Sequence, residues 1–364
     1  MDAEVDVEAL VRRAEELIAV ESVAERPAAL LQALDRVLAS LPPGLTVERF
    51  ESGGKPSALV YAGSRRHFRA ILNGHLDVVP GTPDLFRPRR EGDRLHGRGA
   101  HDMKVAALVM AAVFATLAEE LPVALQLVTD EEVGGLHGTA HQIARGVTAD
   151  FVVIGEQSAL RVVTESRGLL HARMWAGGHT AHAAYPWLGD NALLTLMGGV
   201  SAVLDRYPVP AEEQWTTTVN LARIETPNGA YNQVPDSATA WLDIRYPAGD
   251  PDLEGRSPAE LARHLGDLAG LPVTVEAVSP PHRVDPGRPE VGLLQAAARA
   301  VGYSGELLRK HGAGDGRHYA AAGIDAVAFG PAGDGQHSAA EWVDVRSIAP
   351  YHGALVAFLR SLPI

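Results

Sequence analysis

The chain has 364 residues, 46% of them hydrophobic and 21% charged, a balance that describes a folded protein long enough for two domains. A formal charge of −13 argues against nucleic acid or an anionic membrane surface as the main partner, and the absence of cysteine removes disulfides, thiolate metal sites and a cysteine nucleophile. Any metal site must be built from His, Asp and Glu, which suits hydrolytic zinc, cobalt or manganese.

Residues 7–20 place Val7, Leu10, Val11, Ala14, Leu17 and Ile18 at helical intervals, and 27–41 repeat the pattern behind Pro27. The start, MDAEVDVE, has neither the basic nor the apolar region of a signal peptide. The longest apolar run, 105–118, is stopped by Glu119 and Glu120 short of a membrane span, so a soluble, cytoplasmic protein is expected. Short β-type runs occupy 46–62 and 68–72, the second leading into NGHLD (73–77). In extended chain His75 and Asp77 point to the same side, as when an imidazole binds metal through one nitrogen while a carboxylate holds the other N–H; a satisfied core pair reads equally well. LHGRGAHDMK (95–104) predicts a tight glycine loop before a helix over 103–118, with Asp102 near its N-cap.

The apolar run 123–128 reads as a buried strand, and VTDEEVGG (128–135) sets Glu131 beside Glu132 just past it. Two adjacent acids repel unless a positive group lies between them; a metal would supply it, and an acidic surface turn is the other reading. A helix near 138–145 leads to FVVIGEQ (151–157), where another apolar run ends at Glu156. Three runs ending near 72, 128 and 154 thus deliver His, Asp or Glu past their carboxyl ends, with helices between, which is the α/β pattern.

After about 166 the pattern changes to strand (168–176), helix (190–206), strands (215–224 and 236–246), helix (257–269) and strand (272–278). That order describes a small α+β, ferredoxin-like domain inserted at 168–280 between the parts 1–167 and 281–364 of the first. The first domain resumes with a helix over 289–301, the loop HGAGDGRH (311–318), a strand at 325–329 and GPAGDGQHSAAEWV (330–343), in which Glu341 follows His337 by four residues. A helix over 347–361 ends the chain.

The ordered set HxD, GRGxxDMK, DEExGG, GE and HxxxE resembles the di-zinc metallopeptidase and aminoacylase family that contains succinyl-diaminopimelate desuccinylase, acetylornithine deacetylase, aminoacylase and glutamate carboxypeptidase, over about 70–345. The resemblance implies a zinc-peptidase-like catalytic domain, a mixed sheet sandwiched by helices, with the inserted domain as lid and dimerisation element. It implies two divalent metal ions, zinc first and cobalt or manganese as alternatives. His75 and Glu156 would hold one, Glu132 and His337 the other, and Asp102 would bridge them. Asp77 would orient His75, the bond after Asp102 would be cis, and Glu131 would be the general base.

In GHTAHAAYPWLGDNA (178–192), His182 matches a lid histidine that reaches the neighbouring subunit's site. Asn232, Arg245 and Arg317 match substrate-binding positions. The implied reaction is hydrolysis of an N-acyl amino acid, deacetylase- or desuccinylase-like, by a homodimer. A dipeptidase or carboxypeptidase is the alternative, and a non-catalytic binding homologue is a third reading. The chain departs from the family where VAA follows Lys104 in place of paired glycines. It departs again where AlaGlyAsp (313–315) stands for the desuccinylases' ThrSerAsp, which removes hydroxyls from the substrate loop.

Overall fold

In the computed structural model, which describes residues 5–64 and 67–363, the chain divides into two compact units. One unit comprises Met1–Glu165, Arg283–Arg309 and Gly314–Ile364; the other comprises Ser166–His282 and Lys310–Ala313. The acidic start, 1–4, lies outside the described residues.

The first unit is built on a mixed sheet whose neighbouring strands run Thr46–Ser52, Lys55–Tyr61, Val123–Val128, His67–His75, Thr148–Ile154, Ala326–Ala328 and Val162–Ser166. The four from Val123–Val128 to Ala326–Ala328 pair in parallel; the outer pairings are antiparallel. Alternate side chains feed opposite faces, as the two-residue period of a strand requires. Ala58, Val60, Ala70, Leu72, Leu125, Leu127 and Phe151 enter a large core with helices Val7–Ile18, Pro27–Leu38, Val105–Leu117, Pro289–Ala300 and Ile348–Ser361. Leu59, Ile71, Ala124 and Val152 enter a smaller core with Ile143 and Tyr319, from the short helices Thr139–Ala144 and Gly316–Ala321. Helices therefore cover both faces, and the four parallel strands end at one edge.

Helix Val105–Leu117 is apolar on all sides because ten of its thirteen residues are buried. With the irregular turn ahead of it, Ala100–Leu117 is long and apolar enough to cross a membrane, longer than the sequence suggested, yet 83% of it is buried inside the unit. A second small sheet joins Arg89–Glu91, Arg94–His96, Trp342–Asp344 and Gly333–Asp334, none of which the hydropathy pattern announced.

The second unit is an antiparallel sheet in the order Thr218–Glu225, Ser237–Tyr246, Gly168–Gly177, Val273–Ser279. Helices Ala192–Arg206 and Pro258–Ala269 cover one face. Strand Ser237–Tyr246 alternates without interruption: Ala238, Ala240, Leu242, Ile244 and Tyr246 enter the core while Trp241, Asp243 and Arg245 face away. The antiparallel strand–helix–strand–strand–helix–strand order gives the ferredoxin-like arrangement.

Candidate active site

Strand His67–His75 runs three residues past the apolar stretch that marked it in the sequence. Its last turn carries Asn73, whose amide is buried yet bonded to Gln126, Thr139 and Tyr319. The strand thereby brings His75 level with Val128, where the neighbouring strand ends, and Asn73 level with Ile154. His75, the acidic pair after Val128 and Glu156 after Ile154 consequently emerge at one edge.

Gly97 and Gly99 adopt φ of 148° and 83°, a path open to glycine, and turn the chain so that Asp102 lies under that edge; the Asp102–Met103 peptide is cis. Asp102 does not cap the following helix, as its position in the sequence suggested: the helix starts at Val105, its N-cap is Lys104, and no side-chain cap bond is made. The Asp102 side chain instead faces two histidines. Its Oδ1 lies 3.0 Å from His75 Nε2, and its Oδ2 lies 3.1 Å from His337 Nε2. Glu156 Oε1 is 3.3 Å from His75 Nε2, and Glu132 Oε2 is 3.1 Å from His337 Nε2. Gln336 also donates to Asp102 Oδ2, at 2.6 Å.

Asp77 lies against both His75 and the acidic pair. His75 Nδ1 lies 3.0 Å from the backbone carbonyl of Asp77 and 3.6 Å from its carboxylate. The carboxylate accepts the backbone N–H of Glu131 (3.2 Å) and of Glu132 (2.9 Å). One residue thus meets the histidine with its main chain and its carboxylate, and the acidic pair with the same carboxylate.

The site gathers acids around two imidazoles. Asp77, Asp102, Glu131, Glu132 and Glu156 crowd around His75 and His337, with His75, Asp77 and Asp102 buried. Burial works against a charged His75, but bonds to Asp102, Asp77 and Glu156 outweigh it and hold the imidazole well above its usual range. His337 is pushed up to about 10 by Asp102 and Glu132. Glu131 is raised well above the usual carboxylate range, first by burial and then by Glu156, Asp315 and Glu132 against the opposing charge of His75. Glu132 is raised by burial. Three carboxylates, Asp102, Glu132 and Glu156, and two imidazoles, His75 and His337, facing one another are a donor set that suits divalent cations. Among the described residues, two sets offer ligand atoms within 4.8 Å of one another: His75, Glu131 and Glu156, and His75, Asp102 and Glu132.

Three groups stand behind the acidic pair: Arg317, expected from the resemblance at a substrate-binding position, and His318 and Asp315, which carried no clear signal in the sequence. Arg317 is buried and its Nη2 donates to the Gly134 carbonyl at 2.8 Å, bracing the turn behind the acidic pair. His318 Nε2 lies 2.9 Å from the same oxygen. Asp315, whose carboxyl burial pushes up to about 7, accepts from Thr139 at 2.5 Å. The glycine-rich wording of 311–318 hid the helix that presents these groups.

In the second unit, His182 and Asn232 lie side by side. His182 pairs with Gln233, and Ala183 N donates to the Asn232 carbonyl at 2.9 Å. Ala184 N donates to His182 Nδ1 at 3.1 Å, which leaves the Nε2–H of a neutral imidazole as a donor. Arg245 stands at the other end of its strand, forked onto Asp243 at 2.6 and 2.9 Å. Nearby Arg167, unremarked in the sequence, donates to Thr218 and Gln214; burial, and then the charge of Arg245, lowers its pKa.

Comparison with known proteins identifies the family. Residues 71–361 match the model of peptidase family M20/M25/M40. The chain belongs to that family. It is 36% identical over 256 residues to a succinyl-diaminopimelate desuccinylase of Sphingopyxis alaskensis, covering 64% of this chain and 67% of the relative. It is 30% identical to that of Variovorax paradoxus, covering 87% and 89%. Among solved structures, a tripeptidase from Staphylococcus aureus superposes with a TM-score of 0.79 at 19% identity, covering 99% of each chain. This member of family M20/M25/M40 is therefore a metal-dependent hydrolase acting on amide bonds.

Proposed function

We propose that this enzyme hydrolyses the amide bond of an N-acyl amino acid, with Glu131 as general base at a dinuclear centre. The observation that carries the reading is the pair of oxygens on Asp102, one facing His75 and Glu156 and the other facing His337 and Glu132. A carboxylate so divided suits a bridge between two ions, with His75 and Glu156 completing one side and Glu132 and His337 the other. Zinc fits the nitrogen and oxygen donors best, and cobalt or manganese can take the same ligands.

Bound there, two divalent ions would lower the pKa of a shared water and polarise the substrate carbonyl. Glu131 takes the proton of the attacking water, its carboxyl tuned upward by burial and neighbouring acids so that it can hold the proton and return it to the leaving amine. Asp77 keeps Glu131 and Glu132 in register through their backbone amides. His182 offers its Nε2–H to the developing oxyanion. Arg245 and Arg317, with Asn232, hold the substrate's carboxylate and carbonyl groups, and Arg167 adds a second guanidinium beside Arg245.

The same reading takes the segments 1–167 and 281–364 as catalytic domain and 168–280 as lid, and the enzyme as a cytoplasmic homodimer. His182 and Asn232 adjoin the Ser237 end of strand Ser237–Tyr246, whereas Arg245 lies eight residues along it, ~26 Å away at the rise of a strand. On this reading the two ends of the lid serve the sites of two different chains. Edge strand Thr218–Glu225 and the exposed Leu194 and Met197 of helix Ala192–Arg206 offer a surface for that pairing.

The desuccinylase names of the relatives favour an acidic acyl group. The test is a panel of N-succinyl and N-acetyl amino acids against dipeptides, each assayed with added zinc, cobalt or manganese. Turnover of the acylated amino acids is expected; turnover confined to dipeptides would move the assignment to a peptidase.

A further inference from the structure

The loop that delivers Asp102 satisfies only part of its own amides: Ala100–Lys104 forms a single π-type turn whose backbone is non-helical at Asp102 and Met103. Between Gly97 and Lys104 the chain turns at two glycines with positive φ and passes a cis bond; the N–H groups of Arg98, Ala100 and Lys104 reach the carbonyls of Leu85, Gly97 and Gly99, and those of Gly97, Gly99, His101 and Asp102 need another acceptor. Glu341 supplies it. Its Oε1 accepts from Gly99 N at 2.9 Å, His101 N at 3.0 Å and Asp102 N at 3.2 Å; its Oε2 accepts from Arg98 Nη1 at 2.6 Å; and its own carbonyl accepts from Gly97 N at 3.2 Å. Glu341 is 2% exposed and Arg98 4%. The ion pair is therefore enclosed, and the carboxylate spends both oxygens on the loop.

Glu341 touches none of the inward-facing ligand atoms. It is tied to them from behind at two places, through the amide of Asp102 and through the four-residue connection to His337, which is itself held at φ 59°. Among the described residues its hydrogen bonds go to the 97–102 loop and not to the segments that carry His75 or Glu156. We infer that Glu341, braced by Arg98, is a positioning residue that sets Asp102 and His337 relative to each other and so governs binding of the ion on the His337 and Glu132 side more than that on the His75 side. The inference rests on the dinuclear reading above.

Charge-assisted bonds from several backbone amides to one carboxylate are strong and directional. Removing an outer partner of a ligand typically costs about 10- to 100-fold in metal affinity. Glu341→Gln keeps the side chain's volume but brings an amide nitrogen to a pocket lined by donors.

The test is titration of cobalt(II) into metal-free wild type and Glu341→Gln, followed by calorimetry and by the visible spectrum of the bound ions. Wild type is expected to take two equivalents. The variant is expected to keep one near its wild-type affinity and to bind the other about 10- to 100-fold more weakly, with an altered spectrum for that ion only. Two wild-type constants in the variant, or equal weakening of both, overturns the inference while leaving the dinuclear reading intact. A wild type that takes fewer than two ions overturns the dinuclear reading and this inference with it. Should Glu341→Gln fail to fold, Arg98→Lys carries the same comparison: it keeps the three backbone bonds, loosens the outer oxygen and is expected to weaken the same ion. Unchanged constants there also overturn the role.

Discussion

Replacing Glu131 by Gln separates proton transfer from everything else in the site. The backbone N–H of residue 131 would still meet Asp77 Oδ1, and the facing pairs of Asp102 with His75 and His337 do not involve the side chain. The amide has nearly the carboxylate's size, so the Gly134–Gly135 turn behind it need not move. What disappears is a group that can accept a proton, a step that contributes roughly 100- to 10,000-fold when a side chain is well placed. The lower bound corresponds to about 2.7 kcal/mol of barrier. The assay is kcat and KM on the best substrate of the panel, with bound metal measured in the same sample. The expected result is two ions retained, kcat lower by at least ~100-fold and KM changed little. A variant that turns over within ~5-fold of wild type with both ions bound would refute the assignment of Glu131 as the base.

Three further outcomes are expected. Gly135 has φ 66°, and a Cβ there would lie 2.2 Å from Asp315 Oδ1, whereas Gly44 has φ 93° and nothing within 4 Å. Gly44→Ala should therefore lose only about 1–2 kcal/mol in urea unfolding for its left-handed backbone, and Gly135→Ala clearly more; equal losses would contradict the packing argument. His318 is pushed down to about 4 by burial and then by Arg317, against the bond to the Gly134 carbonyl. Between pH 6.5 and 4 the unfolded chain takes up a proton that the folded His318 refuses, so stability falls as pH falls through that window, by at most about 3 kcal/mol. The difference in unfolding free energy between wild type and His318→Gln should slope there and level off above pH 7, and a pH-independent difference would count against a buried neutral imidazole. Mixing His182→Ala with Arg245→Ala, each inactive alone, should restore up to about a quarter of wild-type activity after subunit exchange, because half the dimers then hold one intact site; no recovery would remove the two-chain site.

How far the site could be read from the sequence depends on which force fixes each residue. The acids at 131, 132 and 156 follow buried apolar runs, and the edge of a parallel sheet gathers whatever follows its strands, so hydropathy was enough to put them together. His75 was harder to place because the strand continues through Asn73, a polar residue that Gln126, Thr139 and Tyr319 make tolerable in the interior. A buried network of that kind has no periodic signature. Asp102 looked like a helix cap because the sequence cannot show that its side chain turns away from the helix. Glu341 was visible only as the last letter of a spaced motif; its partners are amides of a loop about 240 residues earlier, and three-residue strands such as Trp342–Asp344 are too short to predict. The second unit was legible at the level of its elements, since Ser237–Tyr246 alternates cleanly, whereas the separation of His182 from Arg245 follows from strand pairing alone.

The central claim is that Asp102 divides its oxygens between two ions. Anomalous scattering at the zinc edge from crystals soaked in zinc tests it most directly. Two peaks ~3.5–4 Å apart are predicted, one beside His75 and Glu156 and one beside His337 and Glu132, each within bonding distance of a different Asp102 oxygen. A single ion, or two ions that share no Asp102 carboxylate, would contradict it.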